Sequence, residues 1–177
     1  LGTGGAVSQA ESKNDDRFLV LSGDNLIEAD TISDSELLNA DENETEILIK
    51  PQQQDVSKHG VVTVENGMVT DIIEKPGEEI SNLVNTGIYA FHDLDIFEFI
   101  DGDLTSGLRS MIQQGKLVKA CETQGAWLDA VYPWDILGLN DIVLKANPAK
   151  IEGKIERSVT IEGQVSIGKK SVIRANS

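Results

Sequence analysis

The sequence predicts an α/β domain in residues 1–147, followed in residues 148–177 by the start of a β-helix. Two observations predict this fold class. Up to about residue 147, short apolar runs typical of strands alternate with segments of helical period, as in sheets flanked by helices. Beyond that point the helical period disappears, and aliphatic residues recur every six positions. A chain of 177 residues is also long enough to bury a core without disulfides.

The elements of the α/β part follow from these patterns in chain order. We expect strands at Phe18–Leu21, Ile47–Lys50, Val61–Val64, Val69–Ile73, Gly87–Phe91, Leu117–Cys121 and Ala126–Leu128. We expect helices at Thr31–Ala40, Ile96–Ile100, Leu104–Gln114 and Pro133–Ala146. The run Phe18–Leu21 ends in a polar residue, which is typical of a buried parallel strand. Asn66-Gly67, between two β-branched runs, predicts a hairpin.

The last part of the chain predicts hexapeptide repeats. Four isoleucines are spaced six residues apart, at Ile155, Ile161, Ile167 and Ile173, and Val159 and Val165 have the same spacing. In a β-helix such aliphatic side chains point into a narrow prism, and about three hexads make one coil. Residues 148–177 therefore hold little more than one coil, and we expect further coils or the α/β domain to support it.

The charge balance excludes some partners. The chain has 30 acidic and 15 basic residues, a formal net charge of −15, whereas nucleic acids and anionic lipids are bound through clustered Lys and Arg. The apolar runs are far too short to cross a membrane. Cys121 is the single cysteine, so no internal disulfide can form. We expect a cytoplasmic protein in which any phosphate ligand is offset by a metal ion or a local basic residue.

Two aspartates follow predicted strands and are candidate metal ligands. Asp24 ends the Phe18–Leu21 run, and Asp129 follows Trp127-Leu128. The carboxyl ends of strands in open α/β sheets are common ligand sites, and Mg²⁺ takes one or two protein carboxylates. The alternatives are that Asp24 caps a turn and that Asp129 is a helix N-cap.

Other polar residues at strand ends are weaker candidates. Glu74-Lys75 follows an apolar strand and offers hydrogen-bond acceptors and a positive charge, although a solvated strand end is the alternative. Asn85 lies at the start of a predicted strand, where a turn is the simpler interpretation. The glycines between Gly2 and Gly5 could bring backbone N–H groups close to a phosphate or a base. We expect His59 and His92 to be surface residues.

Taken in order, six segments resemble the sugar-1-phosphate nucleotidylyltransferases. The segments are L-G-T-G-G-A at 1–6, F-L-V-L-S-G-D at 18–24, H-G-V-V-T-V-E-N-G at 59–67, I-I-E-K-P at 72–76, N-L-V-N-T-G-I-Y at 82–89 and W-L-D-A-V-Y-P-W-D-I-L at 127–137. The resemblance is to the type related to glucose-1-phosphate thymidylyltransferase and N-acetylglucosamine-1-phosphate uridyltransferase. It implies a Rossmann-like mixed sheet flanked by helices, followed by a left-handed β-helix.

The resemblance also implies a reaction and residue roles. A nucleoside triphosphate, UTP or dTTP, and a sugar-1-phosphate would give a nucleotide sugar and pyrophosphate. Gly2 and Thr3 would contact the base, and Asp24 and Asp129 would hold Mg²⁺. Gly60, Glu74 and Asn85 would bind the sugar, and Lys75 its phosphate, so that Asp24, Lys75 and Asp129 form the catalytic set.

The chain departs from the family at its start, where the G-x-G-T-R-x-x-P phosphate loop is absent. We therefore expect an N-terminally incomplete catalytic domain, and we do not expect the chain as given to catalyse. The alternative is a non-catalytic regulatory or assembly subunit of the same fold that binds nucleotide sugar. In either case, we expect a homo-oligomer formed through the β-helix.

Overall fold

The computed structural model describes residues 2–11, 17–33, 44–52, 56–78 and 80–177. The described residues form five α-helices and twelve strands. The helices are α1 (Gly2–Ser8), α2 (Ala29–Ser33), α3 (Ile96–Phe99), α4 (Leu104–Gln113) and α5 (Asp135–Ala146). The longer strands are β1 (Phe18–Leu21), β3 (Thr45–Pro51), β4 (Gly60–Glu65), β5 (Met68–Glu74), β6 (Leu83–Phe91) and β7 (Val118–Glu122). The short strands are β2 (Asn25–Ile27), β8 (Trp127–Asp129), β9 (Lys150–Ile151), β10 (Lys154–Ile155), β11 (Ser166–Ile167) and β12 (Val172–Ile173).

Six strands form one mixed sheet in the order β1-β6-β3-β7-β5-β4. The pair β3–β7 is parallel, and the other neighbouring pairs are antiparallel. The prediction of a buried parallel strand at Phe18–Leu21 is wrong, because β1 is the edge strand, pairs antiparallel with β6 and has alternate residues exposed. Its apolar run matched a buried strand only because Leu19 and Leu21 are apolar on the exposed side.

Local sequence chemistry determines the hairpin and the end of α4. Asn66 and Gly67 have φ values of 52° and 81°, the left-handed conformation that a two-residue hairpin turn requires, and they join β4 to β5. Helix α4 begins after Asp103, whose carboxylate accepts a hydrogen bond from Ser106 N at 2.9 Å. Gly115, with φ 83°, follows the end of the helix. The predicted helix Thr31–Ala40 begins within α2, and its part from residue 34 lies outside the described residues.

The two faces of the six-stranded sheet bury different side chains. Ile47, Tyr89 and Phe91 pack with the apolar side chains of α3 and α4 in one core cluster. The opposite face buries a smaller apolar cluster of Leu48, Ile88, Ala90 and Cys121. Next to that cluster lie Glu46, which is 0% exposed, and His92, which is 8% exposed. The prediction that His92 is a surface residue is wrong, because it follows β6 and faces Glu46 of β3, with Nε2 3.6 Å from Oε2.

The chain divides into two compact units, residues 1–128 and 129–177. In the second unit, every residue of α5 is exposed or half-buried, and Tyr132 stacks on Trp134 with ring centroids 4.8 Å apart. The strands β9 and β10 pair in parallel with β11 and β12, which follow them by 16 and 18 residues. Among the described residues, none of the helices is long and apolar enough to cross a membrane. The predicted boundary at residue 147 stays a prediction.

Candidate functional site

Three of the predicted sugar-binding residues lie together on neighbouring strands. Gly60 begins β4 and is paired with Glu74 at the end of β5. A Cβ atom on residue 60 would lie 3.0 Å from Glu74 Oε2 and 3.5 Å from Asn85 Cβ. Glycine therefore leaves space between a carboxylate and an amide that any other residue would narrow. This space is bounded by groups that recognise hydroxyls, because carboxylates accept hydrogen bonds and amides both donate and accept them.

Lys75 directly follows this cluster and supplies a positive charge. Its backbone has φ 45°, a left-handed conformation that is uncommon for a residue with a side chain, and its N–H donates to His59 O at 3.2 Å. The side chain is exposed, and Nζ lies 4.0 Å from Glu74 Oε1. In a protein with a net charge of −15, this ammonium group gives the cluster the local cation that a phosphate ligand needs.

Asn85, Thr86 and Gly87 form an irregularity inside β6. The prediction of a turn at the start of a strand is wrong, because β6 begins at Leu83 and continues through these residues. Ile47 and Ile49 of β3 are paired with Tyr89 and Asn85, so the three residues 47–49 of β3 lie opposite the five residues 85–89 of β6. Gly87 has φ 76° at this bulge. Bulges turn side chains away from the regular alternation, and this one allows Asn85 to face Gly60.

Side chains from β2, β8 and the segment between β1 and β2 fix the bulge through its backbone carbonyls. The Thr86 carbonyl accepts hydrogen bonds from Asn25 Nδ2 at 2.8 Å and from Trp127 Nε1 at 3.0 Å. Ser22 Oγ donates to the Gly87 carbonyl at 3.3 Å. A Cβ atom on Gly87 would lie 2.5 Å from Ser22 Oγ, so only glycine allows this close approach. The backbone next to Asn85 is therefore held by residues distant in sequence.

The amide of Asn85 is fixed at both of its ends. Its Nδ2 donates to the Tyr89 hydroxyl at 2.7 Å, and its Oδ1 accepts from Gly87 N at 2.9 Å. Burial raises the pKa of the Tyr89 phenol, while side-chain hydrogen bonds with Asn85 and Thr105 lower it. The carboxylates of Glu74 and Asp103 raise this pKa further. The hydroxyl therefore stays protonated and has a proton to donate at neutral pH.

The predicted base-contact residues lie against the start of α4. Thr3 Oγ1 accepts a hydrogen bond from Leu104 N at 3.1 Å, and Gly5 N donates to Gly102 O at 3.3 Å. A Cβ atom on Gly2 would lie 2.9 Å from Gly102 O. The glycines of this segment thus permit close contact with the loop before α4. Contact of Gly2 and Thr3 with a base stays a prediction.

The two predicted metal ligands belong to different units. Asp24 is exposed in the turn between β1 and β2, and Asp129 is half-buried at the end of β8. Within the part of the chain that the structure describes, no group of three or more His, Cys, Asp or Glu residues could hold a metal ion. Whether these two carboxylates share one ion stays a prediction.

Sequence patterns did not single out Tyr89, Thr105 or Trp127. Tyr89 and Trp127 lie within two of the segments that resemble the family, and only that membership could have pointed to them. Nothing in the sequence points to Thr105, because its proximity to Tyr89 arises from the packing of α4 against β6. These residues act on Asn85 through contacts that only the folded chain brings together.

The model of the nucleotidyl transferase family matches residues 1–143. The chain therefore belongs to this family, and the family predicted from the six segments is confirmed. The mixed sheet with flanking helices is the fold that the family implies.

Similar proteins are known in several archaea. The chain is 35% identical over 190 residues to the bifunctional protein GlmU of Methanococcus maripaludis, covering 100% of this chain and 44% of that protein. It is 31% identical over 191 residues to a bifunctional sugar-1-phosphate nucleotidylyltransferase/acetyltransferase of Sulfurisphaera tokodaii, covering 99% and 45%. The chain thus spans less than half the length of these relatives.

Solved structures show the same fold. A candidate glucose-1-phosphate thymidylyltransferase from Bacillus anthracis superposes with a TM-score of 0.70 at 24% identity, covering 84% of this chain and 63% of that one. An inositol-1-phosphate CTP transferase from T. maritima gives a TM-score of 0.67 at 17% identity, covering 82% and 64%. These likenesses confirm the predicted mixed sheet flanked by helices, and the left-handed β-helix after it stays a prediction.

Proposed function

We propose that the whole protein transfers a nucleotidyl group from UTP or dTTP to a sugar-1-phosphate and releases pyrophosphate. The observation that carries the proposal is the cluster of Gly60, Glu74 and Asn85 beside Lys75, in a chain of the nucleotidyl transferase family. Glu74 and Asn85 suit sugar hydroxyls, and Lys75 suits the sugar phosphate. The cytoplasm, where nucleoside triphosphates are available, is the proposed location, which cell fractionation would test.

The proposed reaction needs no covalent intermediate with the protein. An oxygen of the sugar phosphate attacks the α-phosphorus, the bond from that phosphorus to the bridging oxygen breaks, and pyrophosphate leaves with the electron pair. Catalysis of such transfers consists mainly of positioning the reactants and neutralising charge. Gly60, Glu74 and Asn85 hold the sugar in place, and Lys75 offsets the charge of its phosphate.

We propose that Asp24 and Asp129 bind the Mg²⁺ used in this reaction. Their carboxylates fit the ion in donor chemistry, since Mg²⁺ prefers hard oxygen ligands and usually keeps water and substrate phosphate in its shell. The exposed position of Asp24 leaves room for such ligands. When bound, the ion neutralises phosphate charge and orients the triphosphate.

Asp129→Asn in the whole protein tests this proposal. Removing partners of metal ligands already costs about 10- to 100-fold, so we expect this change to a ligand to lower pyrophosphate release at least about 100-fold. The assay combines UTP or dTTP with glucose-, glucosamine- or N-acetylglucosamine-1-phosphate and Mg²⁺. Asp141→Asn is the matched control, because Asp141 is an exposed carboxylate paired with Lys145, and its turnover should be unchanged.

Two outcomes would contradict this part of the proposal. Near-normal turnover of Asp129→Asn would show that Asp129 is not a metal ligand. Binding of nucleotide sugar by the unaltered protein without any pyrophosphate release would favour the regulatory or assembly subunit instead.

We also propose that hexapeptide coils in residues 148–177 form a left-handed β-helix through which the protein assembles into a homo-oligomer. The parallel pairs β9–β11 and β10–β12 join residues 16 and 18 positions apart, which is close to the three hexads of one coil. Ile151, Ile161 and Val172 are exposed apolar side chains that a neighbouring chain could cover. Light scattering should give the mass of several chains, and less when the coils are deleted. A one-chain mass for the whole protein would contradict this proposal.

A further inference from the structure

The buried ring of Tyr89 carries a hydroxyl that packing alone does not require. Tyr89 is 5% exposed, belongs to the apolar cluster of the helix-covered face and lies beside Phe91, with ring centroids 6.1 Å apart. A phenylalanine would fill the same space. Because a buried hydroxyl is costly unless it is hydrogen-bonded, its specific partners indicate what it does.

The first partner is the side chain of Asn85 in the sugar-binding cluster. Gly87 N donates to Oδ1, which forces Nδ2 towards Tyr89. These two bonds use one of the two amide hydrogens and one of the two lone pairs of the carbonyl oxygen. With the amide plane fixed in this way, the remaining hydrogen and lone pair have defined directions for a ligand.

The second partner is Thr105 in the first turn of α4. Its side chain is close enough to the Tyr89 hydroxyl to lower the pKa of the phenol, and the preceding residue, Leu104, donates its N–H to Thr3 Oγ1 at 3.1 Å. The first turn of α4 therefore contacts the predicted base-binding segment at one residue and, through Tyr89, the sugar-binding amide at the next. All of these residues belong to the unit formed by residues 1–128.

We propose that Tyr89 is a positioning residue for the sugar substrate, which fixes the amide of Asn85 and ties it through Thr105 to the first turn of α4. The inference rests on the proposed function, because it assigns Tyr89 a task in binding the sugar-1-phosphate. Tyr89 itself does not touch the reacting atoms. Its hydroxyl sets the direction of the amide that contacts the sugar.

Tyr89→Phe tests the inference, because it removes the hydroxyl and keeps the ring. In the whole protein we expect the KM for sugar-1-phosphate to rise about three- to tenfold, the range for one neutral hydrogen bond. The kcat and the KM for the nucleoside triphosphate should change less than about twofold. Thr70→Val is the matched control, because its hydroxyl pairs with that of Thr63 at an exposed site, at 2.8 Å, and no kinetic constant should move.

A double-mutant cycle separates positioning from a purely structural role. Asn85→Ala should raise the same KM, and adding Tyr89→Phe to it should raise it no further, because the hydroxyl acts only through the amide. Additive effects would overturn the proposal. So would a fall in kcat at constant KM, which is expected when some molecules are misfolded. If Tyr89→Phe does not fold, Thr105→Val should give a smaller rise in the same KM, and an unchanged KM would overturn the proposal.

A second readout distinguishes a failure of this inference from a failure of the proposed function. If the unaltered protein turns over no sugar-1-phosphate, the proposed function fails, but the contact between Tyr89 and Asn85 can still be tested in the 177-residue chain. The side-chain amide NMR signals of Asn85 should shift in Tyr89→Phe, and their hydrogens should exchange faster with solvent. Unchanged signals would overturn the positioning role.

Discussion

On the sheet face that packs against α3 and α4, the strands β3, β6 and β7 bury apolar side chains such as Ile47, Phe91 and Val118. On the opposite face the same strands, with the residue after β6, bury a carboxylate and an imidazole, Glu46 and His92. The same hydrogen-bonded strands therefore bury apolar side chains on one face and two ionisable side chains on the other. Alternation along a strand allows this, because successive side chains point to opposite faces.

The difference affects the energy of each face. Apolar burial stabilises the helix-covered face in proportion to the area removed from water. A buried carboxylate costs free energy unless it is well paired, and the contacts of Glu46 with His92 and Lys119 are long for ion pairs, while the thiol of Cys121 is a weak donor. Its Oε2 is 3.6 Å from His92 Nε2, and its Oε1 is 3.8 Å from Lys119 Nζ and 3.4 Å from Cys121 Sγ. We infer that the helix-covered face contributes more of the stability.

Among the changes that test this comparison, Leu108→Ala should have the largest effect on stability. Leu108 lies in α4, is 0% exposed and belongs to the apolar cluster of the helix-covered face. Truncating such a leucine removes apolar contacts and leaves a cavity, so we expect a loss of about 2–5 kcal/mol in unfolding free energy. Denaturant unfolding with an unchanged m-value measures it.

Leu19→Ala on the other face of β1 is the control. Leu19 is 36% exposed, so the same truncation should cost about 1 kcal/mol or less. Equal losses at the two positions would show that the helix-covered face is not the more stabilising one.

The elements predicted correctly from sequence depend on local chemistry. The hairpin follows from Asn66-Gly67, which readily adopt the positive φ values of the turn. Helix α4 follows from its period, and Gly115 ends it within a residue or two of the expected position. Such features depend mainly on residues that are neighbours in the sequence, so a sequence pattern is enough to predict them.

The predictions that failed depend on partners distant in sequence. The neighbouring Asp93 makes His92 look like a surface residue, but in the fold the His92 side chain is buried and lies beside the buried Glu46 of β3. Asn85 looks like a turn residue, but the register between β3 and β6 places it inside a bulged strand. The six segments identified the family, whereas the contact of Tyr89 with Asn85 required the fold.

Glu46→Gln is the smaller and more specific test of the face with buried charges. Burial raises the pKa of the Glu46 carboxyl, and Cys121, Lys119 and His92 lower it less. Between its ordinary value of 4.5 and the raised one, the native state binds a proton that the unfolded chain releases. The contribution of Glu46 to stability is therefore full below pH 4.5 and is lost as the pH rises through the raised pKa.

The unfolding free energies of Glu46→Gln and the unaltered chain, measured from pH 4 to pH 8, isolate this contribution. Glutamine cannot ionise, so the unfolding free energy of the variant should rise relative to that of the unaltered chain as the pH rises, by on the order of 1 kcal/mol. Glu65 lies at the exposed end of β4, so Glu65→Gln removes the same charge from an unburied position. The difference in unfolding free energy between this variant and the unaltered chain should stay constant over the same pH range. If this difference stayed constant for both variants, the cost of ionising Glu46 would be balanced by Lys119 and His92, and the two faces would differ in composition but not in charge energetics.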